Sequence, residues 1–198
     1  MAVLNAIARG CEGLHRRRRA ARWLLACLLA GVSAGLSRAQ TPSAEYQVKA
    51  VFLFNFAQFV DWPTSAFPGA QAPIVIAVLG KDPFGAYLDN LVRGEVIGAR
   101  PLAIRRCNRV EDLAGCHLVF ISRSENREME TVLTKLKGQP LLTVSDVDTF
   151  TRSGGMVRFA MESGRIRLRI NVEAARSSHL TISSKVLRPD TIATPGRD

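Results

Sequence analysis

Three runs in the chain, "PIVIAVLG" (73–80), "HLVFIS" (117–122) and "PLLTVSD" (140–146), are apolar at nearly every position. A strand with one wet face alternates apolar and polar residues, whereas a continuous apolar run must be covered on both faces. Between these runs lie helical stretches. "DPFGAYLDNLVRG" (82–94) has Asp82 placed as a cap and Gly94 past its end, and "SENREMETVLTKLKG" (124–138) opens at Ser124 and closes at Gly138. "RPLAIRRC" (100–107) reads as a further strand. Such alternation predicts parallel βαβ units, hence an α/β fold built as a three-layer sandwich around a mostly parallel sheet. After "PLLTVSD" a short helix is expected over "VDTFTRSG" (147–154), with Asp146 and Asp148 at its start, where the helix dipole favours acids. "GMVRFAMESGRIRLRIN" (155–171) then alternates around "ESG", which predicts a C-terminal antiparallel hairpin. "NVEAARSSH" (171–179) reads as a helix capped by Asn171.

The first forty residues differ in kind. "RRRRAAR" (16–22) is basic, "WLLACLLAGVSAGL" (23–36) is apolar, and Ser37 and Ala39 are the small residues of a cleavage site. This pattern predicts a secretory signal peptide, residues 1–39, and a single mature domain over 44–192. The alternatives are a permanent anchor, for which 14 apolar residues fall short of the about 20 a span needs, and a lipoprotein box ending at Cys27, which comes too early. The chain carries 27 basic and 17 acidic residues; losing the leader's seven arginines and Glu12 leaves 20 and 16. Most of the formal charge of +10 therefore belongs to the leader, and no basic run remains to favour nucleic acid.

Cys107 and Cys116 survive that cut. In an oxidising compartment they predict a disulfide worth about 2–3 kcal/mol on the chain-entropy argument. The rival reading adds the adjacent His117 to make a metal site, although zinc pairs are usually spaced more tightly. No phosphate-binding glycine loop and no G-x-S-x-G elbow occurs. His117 and His179 stand in no recognisable relation to a serine and an acid, and Glu125, Arg127, Glu128 and Glu130 read as a solvated helix face. The expectation is a chain with no catalytic residues, metal or cofactor.

"AVFLFNFAQFVDWP" (50–63) holds four of the nine phenylalanines and one of the two tryptophans. Ser43 is placed as an N-cap and Pro63 as a stop, so a helix is expected. At 100° per residue, Val48, Ala50, Phe52, Leu53, Phe56, Ala57, Phe59 and Val60 form a broad apolar arc. Lys49 falls inside the arc and must snorkel or pair. Val51 and Phe54 project among Gln47, Asn55 and Gln58 on the polar side. With nearby Trp62 they are candidate anchors for another chain, unless a second layer of the same domain folds over them. A different class, a small-ligand binder, would use Glu162, Arg167 and His179 as a polar rim. Arg165, Arg167 and Arg169 share one face of their strand, solvated or facing an acidic partner.

"YQVKAVFLFNFAQFVDWP", "CHLVFIS", "LLTVSD" and "GGMVRFAMESGRIRLRINVEAARSSHLTISSKVL", in that order, resemble the YfiR family of periplasmic proteins from about Glu45 to Leu187. The resemblance implies an exported α/β repressor without known catalytic residues. It would hold the periplasmic sensor domain of an inner-membrane diguanylate cyclase inactive, and so limit cyclic-di-GMP and biofilm. It also implies an outer-membrane lipoprotein that sequesters the repressor, possible homodimers, and family disulfides, of which this chain retains cysteines for one at most.

Overall fold

The computed structural model describes residues 42–187; the expected leader and the end of the tail lie outside them. Helix α1 spans Ala44–Phe59. Ser43 begins it through its carbonyl, which accepts from Gln47 N–H at 3.0 Å, and not through its side chain. The helix stops before Pro63 because Val60 turns extended: β1 (Val60–Asp61) pairs antiparallel with β9 (Thr181–Ile182).

The main sheet holds β2 (Ile74–Leu79), β3 (Val96–Ile97), β4 (Arg100–Cys107), β5 (Leu118–Ile121), β6 (Leu142–Ser145), β7 (Val157–Glu162) and β8 (Arg165–Ile170), in the order β3-β4-β2-β5-β6-β7-β8. Strands β4, β2, β5, β6 and β7 run parallel. β3 and β8 are antiparallel edges. Every residue of β2, β5 and β6 is buried, which is the physical meaning of their unbroken apolar runs. Alternate residues feed two cores. Ile74, Ile76, Val78, Leu118, Phe120, Leu142 and Val144 meet α1 and α2 (Ala86–Val92) on one face. Val75, Ala77, Leu79, Val119 and Ile121 meet α3 (Met129–Leu136) on the other. This is the expected three-layer α/β sandwich, with its antiparallel hairpin at the C-terminal side.

The hairpin turns on Ser163 and Gly164, both at positive φ (48° and 73°), the backbone of a two-residue primed turn. Asn171 caps α4 (Val172–Ser177) as expected, accepting from Ala174 N–H at 3.0 Å. Two helices are shorter than the sequence suggests. Asp82 closes a turn onto Phe84 N–H at 2.7 Å, so α2 begins only at Ala86, and a 3₁₀ segment (Arg123–Glu128) replaces the start of α3. The helix expected over 147–154 is a run of turns. There Phe150 is fully buried, with its ring against the α-carbon of Gly155. A methyl group at Gly155 would be driven into that ring. Gly155→Ala should therefore cost about 1–3 kcal/mol through overpacking. Thermal denaturation checks this, and a melting temperature unchanged within a degree would mean that the ring has room to move.

Candidate functional site

In open α/β sheets ligands sit where the parallel strands end, at the point where strand order reverses. Here that point lies between β2 and β5, and the chain fills it from within. Lys81 N–H donates to Ser124 Oγ at 2.9 Å, and the Ser124 hydroxyl donates to Glu125 Oε1 at 2.7 Å. The Ser145 hydroxyl donates to the Ile121 carbonyl at 2.7 Å.

The first turns of α1 close the same edge. Lys49, 2 % exposed, sends Nζ to within 2.6 Å of Oδ2 of Asp146, which is 1 % exposed. The Tyr46 hydroxyl donates to that oxygen at 2.9 Å. Glu45 pairs with Lys49 from the rim. Arg123 places Nε 3.2 Å from Asp146 Oδ1 and donates from Nη2 to the Asp146 carbonyl at 2.9 Å. Burial alone would raise the Asp146 carboxyl; the hydrogen bonds and charges of Lys49, Tyr46 and Arg123 outweigh it and hold the group below the usual carboxylate range. Burial, then the neighbouring Asp146, pushes the Tyr46 phenol up to about 12. The cluster is thus neutral at Tyr46 and ionic at Lys49–Asp146. It works as a strut that fixes α1 to the sheet. Asp146 is not the helix cap expected from its position. The signal for this cluster was Lys49 inside an apolar arc; the acid that meets it, 97 residues away, was not legible.

At the opposite edge His117 is a core tie. Its Nδ1 accepts from Val75 N–H at 3.1 Å, so the ring proton sits on Nε2, which donates to the Ala66 carbonyl at 3.2 Å. Phe67 stacks on the imidazole at 4.3 Å, and Arg100 lies over the far face of Phe67 at 3.6 Å. Burial first, then the charges of Arg100 and Arg105, depress the His117 pKa despite the Ala66 bond. Both ring nitrogens are engaged with backbone, so His117 has none left for a metal. Among the described residues no three of His, Cys, Asp and Glu gather as metal ligands.

Cys107 and Cys116 are free, buried thiols. Cys107 ends β4, level with Leu79, while His117 N–H bonds to the Val75 carbonyl from the other side of β2. Both cysteine side chains belong to the same core cluster. The Arg105 guanidinium also lies 3.4 Å from Cys116 Sγ. The disulfide expected from spacing is not formed in this structure. Burial raises both thiols, Cys116 to about 11.

The candidate anchors divide. Val51 is 38 % exposed, and Val48, expected inside, is 48 % exposed beside it. Phe54 is half-buried against the core. Trp62 packs against that core too, and its indole N–H donates to the His117 carbonyl at 2.9 Å. The outward ridge of α1 is thus Val48 and Val51, flanked by Phe52. Phe52 meets Phe159 at 5.8 Å, and Met161, on the same face of β7 two residues on, is 51 % exposed. The expected polar rim does not assemble. Glu162 ends β7 at the hairpin tip and Arg167 shares its face. His179 lies beyond α4, just before β9, which pairs with β1.

No helix among the described residues is long and apolar enough to cross a membrane. The model of a family of periplasmic regulatory proteins, YfiR/HmsC-like, matches residues 46–189, from Tyr46 of the buried cluster past β9. With that span taking in nearly every element of the fold, the chain belongs to the YfiR/HmsC-like family.

Proposed function

We propose that this chain, freed of residues 1–39, docks onto the periplasmic sensor domain of a membrane-bound diguanylate cyclase and restrains it. Family membership supports a regulator of that signalling class. The observation that carries the contact surface is the exposed apolar ridge Val48–Val51 on a helix whose underside is held by the Lys49–Asp146 pair. A preorganised apolar surface loses little ordering entropy on binding. At the switch point between β2 and β5 the Ser124 and Glu125 side chains cover the strand ends, while a groove of about 310 Å³ lined by Arg123, Asn126, Val147, Asp148 and Thr149 opens beyond β5 and β6. An outer-membrane lipoprotein that sequesters the chain, and a homodimer, are further partners of this proposal.

Val51→Asp should leave stability within about 0.5 kcal/mol, as is usual for surface substitutions. It should weaken binding to a purified cyclase sensor domain at least about tenfold. Biolayer interferometry with residues 40–198 checks both expectations alongside thermal denaturation. Equal affinity of the folded variant would remove the ridge from the contact. Phe54→Asp is the poorer probe, because Phe54 also supports the core. The competing small-ligand reading moves from its expected rim to a groove of about 400 Å³ between α3 and α4, floored by Leu133, Leu136 and Met156. A thermal-shift screen would support that reading by finding a compound that raises the melting temperature.

A further inference from the structure

The segment joining β1 to β2, residues 62–73, crosses the N-terminal ends of β2 and β5 with no regular structure beyond one 3₁₀ turn (Thr64–Ala66). None of its residues is buried. Its turns close on themselves, Ala66 N–H on the Pro63 carbonyl, Phe67 N–H on Thr64 and Ala72 N–H on Gly69. Among the described residues, its hydrogen bonds to the rest of the chain run to two residues, Arg100 of β4 and His117 ahead of β5. Arg100 Nη1 donates to the Gly69 and Ala72 carbonyls at 2.8 and 2.9 Å. His117 donates from Nε2 to the Ala66 carbonyl, stacks on Phe67, and accepts the Trp62 indole N–H at its own carbonyl. Trp62 and Phe67 lean on the core from outside. So few ties mark a segment that can open by itself.

The His117 tie holds only for a neutral ring. Nδ1 accepts from Val75 N–H at 3.1 Å. A proton on Nδ1 sets donor against donor and leaves the N–H of buried Val75 without an acceptor. From β4 the ring faces Arg100 and Arg105, both cations, which repel an imidazolium. Strand β2 and the segment itself present only backbone, apolar and aromatic groups to it. Nothing beside the ring therefore welcomes its charge, whereas water does.

We propose that His117 is an acid-operated latch: protonation of its imidazole breaks the tie to Val75 and swings residues 62–73 off the sheet, exposing Trp62 and Phe67, while β2, β5 and both cores stay folded. Nε2 keeps its bond to Ala66 in the charged ring, so ring and segment leave together. The α1 ridge lies outside this segment, and the latch stands or falls separately from the cyclase contact.

Trp62 is the tryptophan of residues 40–198, Trp23 lying in the expected leader, so its emission reports on the latch. Hydrogen exchange at residues 64–72, corrected for the intrinsic rate, should quicken by up to about tenfold per pH unit below about pH 6.5. Acrylamide quenching of Trp62 should rise over the same range, while the amides of β2 and β5 stay protected. His117→Asn offers an oxygen to Val75 N–H and takes no proton, so both readouts should stay level in it. If that variant does not fold, NMR titration of the parent decides: the His117 ring should carry its proton on Nε2 at neutral pH and titrate with the same midpoint as the opening. The proposal is overturned if residues 64–72 open independently of pH, or only together with β2 and β5. It is equally overturned if the acid response persists in folded His117→Asn, or if His117 titrates apart from the opening.

Discussion

Lys49→Met is expected to lower the melting temperature by on the order of 10 °C. The ammonium sits 2.6 Å from Asp146 Oδ2, with both side chains at most 2 % exposed. Removing one partner of a buried pair leaves the other charge uncompensated and costs about 3–5 kcal/mol. In a domain of this size each kcal/mol corresponds to about 2–4 °C. The large cost does not make the pair a large net contribution, since apolar replacement of both partners is often neutral. The double variant Lys49→Met/Asp146→Leu should therefore recover more than half of the loss. The pH dependence has a definite sign. The Asp146 carboxyl is held below its usual range, so its contribution is present above the unfolded pKa of about 3.9 and fades as pH falls through the folded value. Below that point protonated Asp146 no longer needs Lys49, and the gap between Lys49→Met and the parent should narrow. Urea denaturation across pH 7 to 3 reads both effects; a Lys49→Met variant as stable as the parent at pH 7 would show that Arg123 and Tyr46 suffice.

His117→Ala is the second large effect. It orphans the Val75 N–H and the Ala66 carbonyl, each at about 1–3 kcal/mol, and leaves Phe67 without the ring it stacks on. A loss of about 3 kcal/mol or more is expected. The folded pKa of His117 is depressed, first by burial, so below about pH 6.5 the unfolded chain binds the proton more readily. Stability is then fully present above about pH 6.5 and declines as pH falls toward the folded pKa, by at most about 1.4 kcal/mol per unit. The parent should weaken between pH 7 and 5 while His117→Ala stays level across that window. Equal slopes would assign the acid sensitivity elsewhere.

The strands were legible because burial on two faces leaves a direct mark, a continuous apolar run. The arginine strand β4, from Arg100 to Cys107, has the bounds its composition suggests, and Asn171 caps as its type predicts. The segment 147–154 misled because Asp148 and Thr149 favour a helix start. Yet Gly154 takes positive φ at 97°, and Gly155 N–H bonds back to the Phe150 carbonyl, coiling the chain into turns around Phe150. On α1 the buried face centres on Lys49, Leu53, Phe56 and Ala57. That face lies within the expected apolar arc, Lys49 included; Val48 stands at the margin of the arc, where its apolar type alone placed it inside. Spacing along the chain also carries no information about an intervening strand. Hence the cysteines, nine positions apart, fall at the end of β4 and before β5, the strands that flank β2, and Glu162 ends β7 whereas His179 follows α4.

The most direct test is cellular cyclic-di-GMP in a strain lacking this chain, complemented with the parent or with Val48→Asp/Val51→Asp. Loss of the chain should raise the nucleotide, the parent should restore it, and the variant, folded and exported to the same level, should not. An unchanged level on deletion, or full restoration by the variant, would contradict the proposal that the α1 ridge restrains a cyclase.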